Sequence, residues 1–191
     1  MTGVSSLYSS NADAAHRGEA RMENAQPVLS NSVFQAFKRA VAEIFQENGI
    51  SLEGQTDVDQ RTNPLQVVAA VGVTGDLKGT ILFGCSYPSA QAIVGTLFAS
   101  SNIIPQEKSF GDLAKATIGE FANQIAGRSL MNLSQAAYDC NMPPPTVLTG
   151  DVVTPDLVAP EQEYVSRLTG GFGSALFRVG IKSMKKLKKE C

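Results

Sequence analysis

Apolar residues first take up a helical rhythm near Ser32. Val33, Phe34, Phe37, Ala40, Val41, Ile44 and Phe45 recur at three- and four-residue steps, and Gly49 follows as a stop. The spacing predicts an amphipathic helix of about four to five turns. The period then changes. "QVVAAVGVT" and "LKGTILFG" are apolar and β-branched with Gly75-Asp76 between them, which predicts a hairpin. "SYPSAQAIVGTLFAS" returns to helix, with Ser86 as its cap and Pro88 in the first turn, where proline is tolerated. Ser109, with Asp112 three residues on, predicts a capping box opening a long helix from Phe110 to about Tyr138.

Pro143-Pro144-Pro145 close that helical region in this reading, because proline cannot continue the hydrogen-bond ladder. "TVLTGDVV" is a further strand, and "EYVSRLTG" with "SALFRVGIKS" predicts a last hairpin turning at Gly170-Gly171. Phe177, Val179 and Ile181 alternate there with Arg178, Gly180 and Lys182, so the strand is expected to be half-buried. The predicted order is helix, hairpin, helix, long helix, three strands. The fold class is therefore α+β, an antiparallel-rich sheet packed against helices. Residues 1–28 lack an apolar period and are expected to be a flexible arm; residues 29–184 form the domain. Residues 185–191 continue a lysine run as a basic tail, either a solvated end or a docking segment for an acidic partner.

Composition narrows the chemistry. The 191 residues are 43% apolar, enough for a core without metal or disulfide staples. A net charge of −2 gives no electrostatic footprint for nucleic acid. The single histidine, His16, lies in the polar N-terminal stretch, which argues against a His-based metal site or a Ser-His or Cys-His pair in the domain. Cys85, Cys140 and Cys191 are widely spaced and form no C-x-x-C, as expected of free thiols in a reducing compartment. The N-terminal residues lack the apolar stretch of a secretory signal, and no apolar run approaches the roughly 20 residues of a membrane span. A soluble, cytoplasmic protein is expected.

One stretch stands apart: "ATIGEFANQIAG", Ala116 to Gly127. On a helical wheel with Ile118 at zero, Ala114, Phe121, Ala122, Ile125, Ser129 and Leu133 gather on one side as a buried stripe. Ala116, Glu120, Asn123 and Gly127 fall opposite. Glycine inside a helix costs about 1 kcal/mol relative to alanine, yet Gly119 and Gly127 both lie within the pattern. Small residues around an exposed polar pair would let another macromolecule approach. An amide both donates and accepts, so Asn123 could hold a water, and Glu120 could pair with a cation or act as a base. In the plainer alternative, the glycines serve helix–sheet packing and the polar pair is incidental.

"IGEFANQIAG", followed about twenty residues later by "PPPTVLTGD", resembles the CheX-type phosphatases of bacterial chemotaxis, within the wider CheC/CheX/FliY group. The shared core is E-x-x-N on a long exposed helix, Glu120 and Asn123 here, and the resemblance covers roughly residues 30–185. It implies hydrolysis of the aspartyl phosphate of a CheY-type response regulator. Asn123 would orient the attacking water, Glu120 would contact the regulator's lysine, and the regulator would supply Mg²⁺, leaving the chain with no cofactor of its own. Ala116, Gly119 and Gly127 would form the partner-contact face. The resemblance also implies a homodimer joined through the sheets. CheC relatives often carry Asp or Ser where Ala116 stands, so Ala116 receives no chemical role. CheC repeats the motif in its first helix; here that helix offers only Glu43 and Gln46, so a single site is expected. The competing reading is a non-catalytic regulator-binding adaptor or a flagellar switch-associated module using the same helix face.

Overall fold

The computed structural model describes residues 31–58, 65–100, 110–151, 153 and 160–184. The expected N-terminal arm and basic tail lie outside these. Helix α1 (Asn31–Glu47) buries Val33, Ala36, Phe37, Ala40, Val41, Ile44 and Phe45, the stripe its periodicity predicts. The chain leaves it at Gly49, whose φ of 68° needs no Cβ accommodated.

A short strand that the pattern did not signal follows, β1 (Gly54–Asp57). It is polar and pairs antiparallel with β6 (Gln162–Gly170) at one sheet edge. Asp57 on β1 is held by Lys38 of α1 at 3.1 Å and accepts a hydrogen bond from the Tyr164 hydroxyl at 3.0 Å. Phe34 packs on the Tyr164 ring, centroids 5.9 Å apart.

β2 (Val67–Gly75) and β3 (Leu77–Cys85) form the expected hairpin, with Val71 opposite Ile81 and Gly75 at a φ of 110° in the turn. β6 and β7 (Gly173–Ser183) form the last hairpin, with Gly170 opposite Gly173. β7 also pairs with β3, giving the order β1-β6-β7-β3-β2. The outer edge of β2 is shared by two short strands, β4 (Cys140–Asn141) and β5 (Thr146–Thr149). Between them run the three prolines. They have no N–H to give to a ladder, so they split the edge, and Pro143 lies against Gly72 of β2.

Helices α1, α2 (Tyr87–Ser100) and α3 (Asp112–Gln135) accompany this sheet. The side chains of Val67, Ala69, Val71, Ile81, Phe83, Phe177 and Val179 are sealed in the core with those of α1 and α3. Phe45, Phe83, Phe121 and Phe172 form its centre, with Phe121 5.1 Å from Phe45 and 5.6 Å from Phe83 in edge-on contacts. Ser86 caps α2 as expected, its hydroxyl accepting from the Ser89 N–H at 3.3 Å.

Three expectations are corrected. The cap of α3 is Gly111, with no side-chain capping bond, so the helix opens at Asp112 rather than at a Ser109 capping box; Ser109 itself lies outside the described residues. The prolines do not end α3. It stops at Gln135, where Ala137 adopts a left-handed φ of 60° and the Tyr138 N–H returns to the Leu133 carbonyl at 3.1 Å, a Schellman-like closure. The second face of β7 is not solvated. Arg178 is only 3% exposed and is paired with Glu163 on β6, a partner without which a buried guanidinium would be strongly unfavourable.

Candidate functional site

The site is built on α3. Its core stripe, Ala114, Ile118, Phe121, Ala122, Ile125, Ser129 and Leu133, is buried as the wheel predicts. Phe121, adjacent to Glu120 in sequence, is locked in the aromatic cluster, so the rotation of the helix about its axis is fixed. That rotation turns Glu120 and Ala116 outward, and both are exposed.

The glycines fall differently from the expectation. Gly119 is buried: a Cβ there would meet Val147 Cγ2 at 3.0 Å and Pro145 Cγ at 3.8 Å. It is a packing position beneath β5, not part of an exposed partner face. Gly127 is half-buried, and a Cβ there would lie 3.3 Å from Met142 Cε. Gly119, Asn123 and Gly127 occupy successive turns of one helical row. The two glycines thus let the Met142–Val147 segment run close along this flank. Asn123, expected on the exposed row with Glu120, is half-buried between them beside that segment. Among the described residues no group hydrogen-bonds the Asn123 amide, and its polar atoms are not fully sealed.

Glu120 faces the other flank. There, α2 and α3 leave an open groove of about 330 Å³, lined by Leu97, Phe98, Ala116 and Phe121 and by the polar groups of Glu120 and Gln124. Among the described residues Glu120 has no ion-pair partner; the Gln124 amide donates to its Oε1 at 3.4 Å. An exposed, unneutralised carboxylate beside an open amide can bind a cation and place a water. The arrangement suits positioning a water more than forming a covalent intermediate. Among the described residues no group of three His, Cys, Asp or Glu could hold a metal ion.

The first helix offers no second site. Glu43, the carboxylate of its E-x-x-Q, accepts from Arg39 at 2.7 Å and from Arg128 of α3 at 3.1 Å, and these hydrogen bonds hold its pKa below the ordinary value. Arg128 also grips both oxygens of Glu47 at 2.8 and 2.9 Å. Neither Gln124 nor Arg128 was singled out in the sequence. Gln124 lies four residues beyond Glu120, a spacing that does signal a helical side-chain pair. The link from Arg128 to Glu43, 85 residues away, leaves no local trace. Cys85 is buried, which raises its thiol to about 12, and Cys140 is half-buried at the sheet edge. No helix among the described residues is long and apolar enough to cross a membrane.

The profile of the chemotaxis phosphatase CheX family matches residues 67–167. A curated relative, the CheY-P phosphatase CheX of Thermotoga maritima, is 28% identical over 87 residues, 46% of this chain and 54% of the relative. The chain thus spans about half the length of the curated relative it matches. The fold is shared with a CheC-like superfamily protein from Shewanella sp. PV-4, at a TM-score of 0.70 and 15% identity, covering 81% of this chain and all of that one. It is shared also with CheX of Borrelia burgdorferi, whose crystal structure is a CheX–CheY–BeF₃–Mg²⁺ complex, at a TM-score of 0.63 and 15% identity, covering 79% of this chain and 98% of that one.

Proposed function

The chain belongs to the CheX family of chemotaxis phosphatases, and from that premise we propose that it hydrolyses the aspartyl phosphate of a CheY-type response regulator. The carrying observation is Asn123 itself: an amide with no hydrogen bond among the described residues, set between two glycines and one turn from an exposed carboxylate without an ion-pair partner, on a helix fixed in rotation by Phe121. A relative's name and a relative's complex with CheY support the choice of substrate.

The chain's part in the reaction is positioning. The Asn123 carbonyl oxygen accepts from a water whose lone pair faces the phosphorus, and its N–H₂ donates to a phosphoryl oxygen. The water oxygen forms the new P–O bond while the bond to the aspartate oxygen breaks, leaving a free carboxylate and inorganic phosphate that keeps both of the water's protons. A neutral amide suits this role, since loosely bonded phosphoryl transfer needs orientation and charge stabilisation more than a strong base. Glu120 pairs with the regulator's lysine and fixes the register of α3 in the regulator's cleft. Mg²⁺ held by the regulator neutralises the phosphoryl oxygens. A homodimer joined through the sheets belongs to the same proposal, and sedimentation equilibrium reporting only monomer would remove it.

The test is the rate of aspartyl-phosphate loss from a CheY-type regulator of the same genome, phosphorylated with acetyl phosphate in Mg²⁺. Wild type should accelerate it, and Asn123→Ala should lose nearly all of the acceleration while remaining folded. Unchanged acceleration by Asn123→Ala sinks the catalytic assignment. Tight binding of the phosphorylated regulator without acceleration would make the chain an adaptor instead.

A further inference from the structure

Glu120 does not stand alone on its flank. The Gln124 Nε2 donates to Glu120 Oε1 at 3.4 Å, and Gln124 Oε1 accepts from Asn48 Nδ2 at 3.3 Å. Asn48 is itself fixed: its Nδ2 also donates to the Ile44 carbonyl at 2.9 Å, at the exit of α1. The Asn48 backbone N–H returns to the same carbonyl at 3.1 Å. The chain of donors therefore has one direction. The Ile44 carbonyl in the last turn of α1 orients Asn48, Asn48 selects which end of the Gln124 amide faces it, and Gln124 presents its N–H to Glu120. All three side chains border the same groove between α2 and α3.

We propose that Gln124, set by Asn48, is a positioning residue for Glu120. An exposed glutamate on a helix samples several rotamers, and a partner must restrict them on binding. An amide donor held from behind biases the carboxylate beforehand toward the groove side of α3, and leaves its second oxygen free for the regulator's cation. The inference rests on the reading of Glu120 and Asn123 given above. It adds that α1 takes part in the reaction through a two-link relay rather than through a second copy of the motif.

The experiment uses the same phosphorylated CheY-type regulator in Mg²⁺ with the full chain in excess. Four forms are compared with wild type: Gln124→Met, Asn48→Ala, the double variant, and Asn123→Ala. Gln124→Met keeps length and helix propensity but removes the donor. One exposed hydrogen bond of this kind changes an equilibrium by roughly 2- to 10-fold, so Gln124→Met should slow dephosphorylation by about 3- to 10-fold. Asn48→Ala should lose less. The double variant should be no slower than Gln124→Met alone, because the relay is already cut. The unfolding midpoint of Gln124→Met should stay within about 2 °C of wild type, since the residue is exposed. If Gln124→Met is as fast as wild type while Asn123→Ala is inactive, the relay is wrong and the phosphatase reading stands. If the two losses multiply in the double variant, or the rate falls only in step with the midpoint, the relay is also wrong. If Asn123→Ala matches wild type, the reading beneath both falls.

Discussion

The two glycines of α3 make a sharp energetic test, because they are chemically equivalent in the sequence and unequal in the structure. Replacing either by alanine recovers about 1 kcal/mol of helix propensity. At Gly127 the new methyl would meet Met142 Cε at 3.3 Å. That atom is the far end of an unbranched side chain and can swing away at little cost. Gly127→Ala should therefore stabilise the protein by about 0.5–1 kcal/mol. At Gly119 the new methyl would lie 3.0 Å from Val147 Cγ2. Val147 is stiff at χ1, and its backbone is registered against Ala69 in the β2–β5 ladder, so relief requires moving a strand. Overpacking of this kind costs about 1–3 kcal/mol, which cancels or exceeds the propensity gain. Gly119→Ala should be neutral or destabilising by up to about 2 kcal/mol. The two variants should thus differ by roughly 0.5–3 kcal/mol, or about 1–12 °C in midpoint at 2–4 °C per kcal/mol for a chain of this size. Urea unfolding followed by circular dichroism at unchanged m value measures the difference. Equal stabilisation by both substitutions would refute the placement of β5 against α3, and with it the surroundings assigned to Asn123.

Three further outcomes are expected. Ala137 holds a left-handed φ of 60° that strains an L side chain, so Ala137→Gly should stabilise by about 0.5–1 kcal/mol in the same urea assay, and a loss would show the closure is not left-handed. Hydrogen bonds from Arg39 and then Arg128 lower the Glu43 pKa, so the carboxylate's contribution is present above its unfolded value of 4.5 and is lost as pH falls through the folded value. Arg128→Met should be less stable than wild type at neutral pH and should approach it on acidification; a gap constant with pH would contradict the α1–α3 ion cluster. The Cys85 thiol, raised to about 12 by burial, should resist a thiol reagent at about pH 8 until the chain unfolds, as mapped by peptide mass spectrometry; rapid labelling of native protein would place it at the surface.

Much of the architecture was legible because it is carried by periodicity. α1, α2, the two long hairpins and the buried stripe of α3 all follow from side chains that must reach one core. The strands missed, β1 and β4, are polar and short, and they exist because a neighbouring edge offers them partners. The solvated face expected on β7 failed at Arg178 because Glu163, on a different strand, makes its burial tolerable. At the site, the exposure of Glu120 followed from the wheel. For Gly119 the sequence left two readings, partner face or helix–sheet packing, and the wheel could not choose between them. A wheel gives the angle of a residue but not which element covers that angle, and here β5 arrives after three prolines along the flank at Gly119. The relay through Gln124 to Asn48 joins residues 76 positions apart and left no periodic trace.

The ion cluster that spends Glu43 and Glu47 on Arg128 has an implication for how this scaffold can change. The first helix works as a latch and the third as a tool, and one basic side chain enforces that division of labour. Freeing Glu43 to build a duplicate centre would loosen one tie between the helices, while the apolar stripe of α1 and the Arg128–Glu47 pair would still hold them together. Any lineage gaining a twin site would have to release that carboxylate from both Arg39 and Arg128 before, or together with, acquiring the new amide.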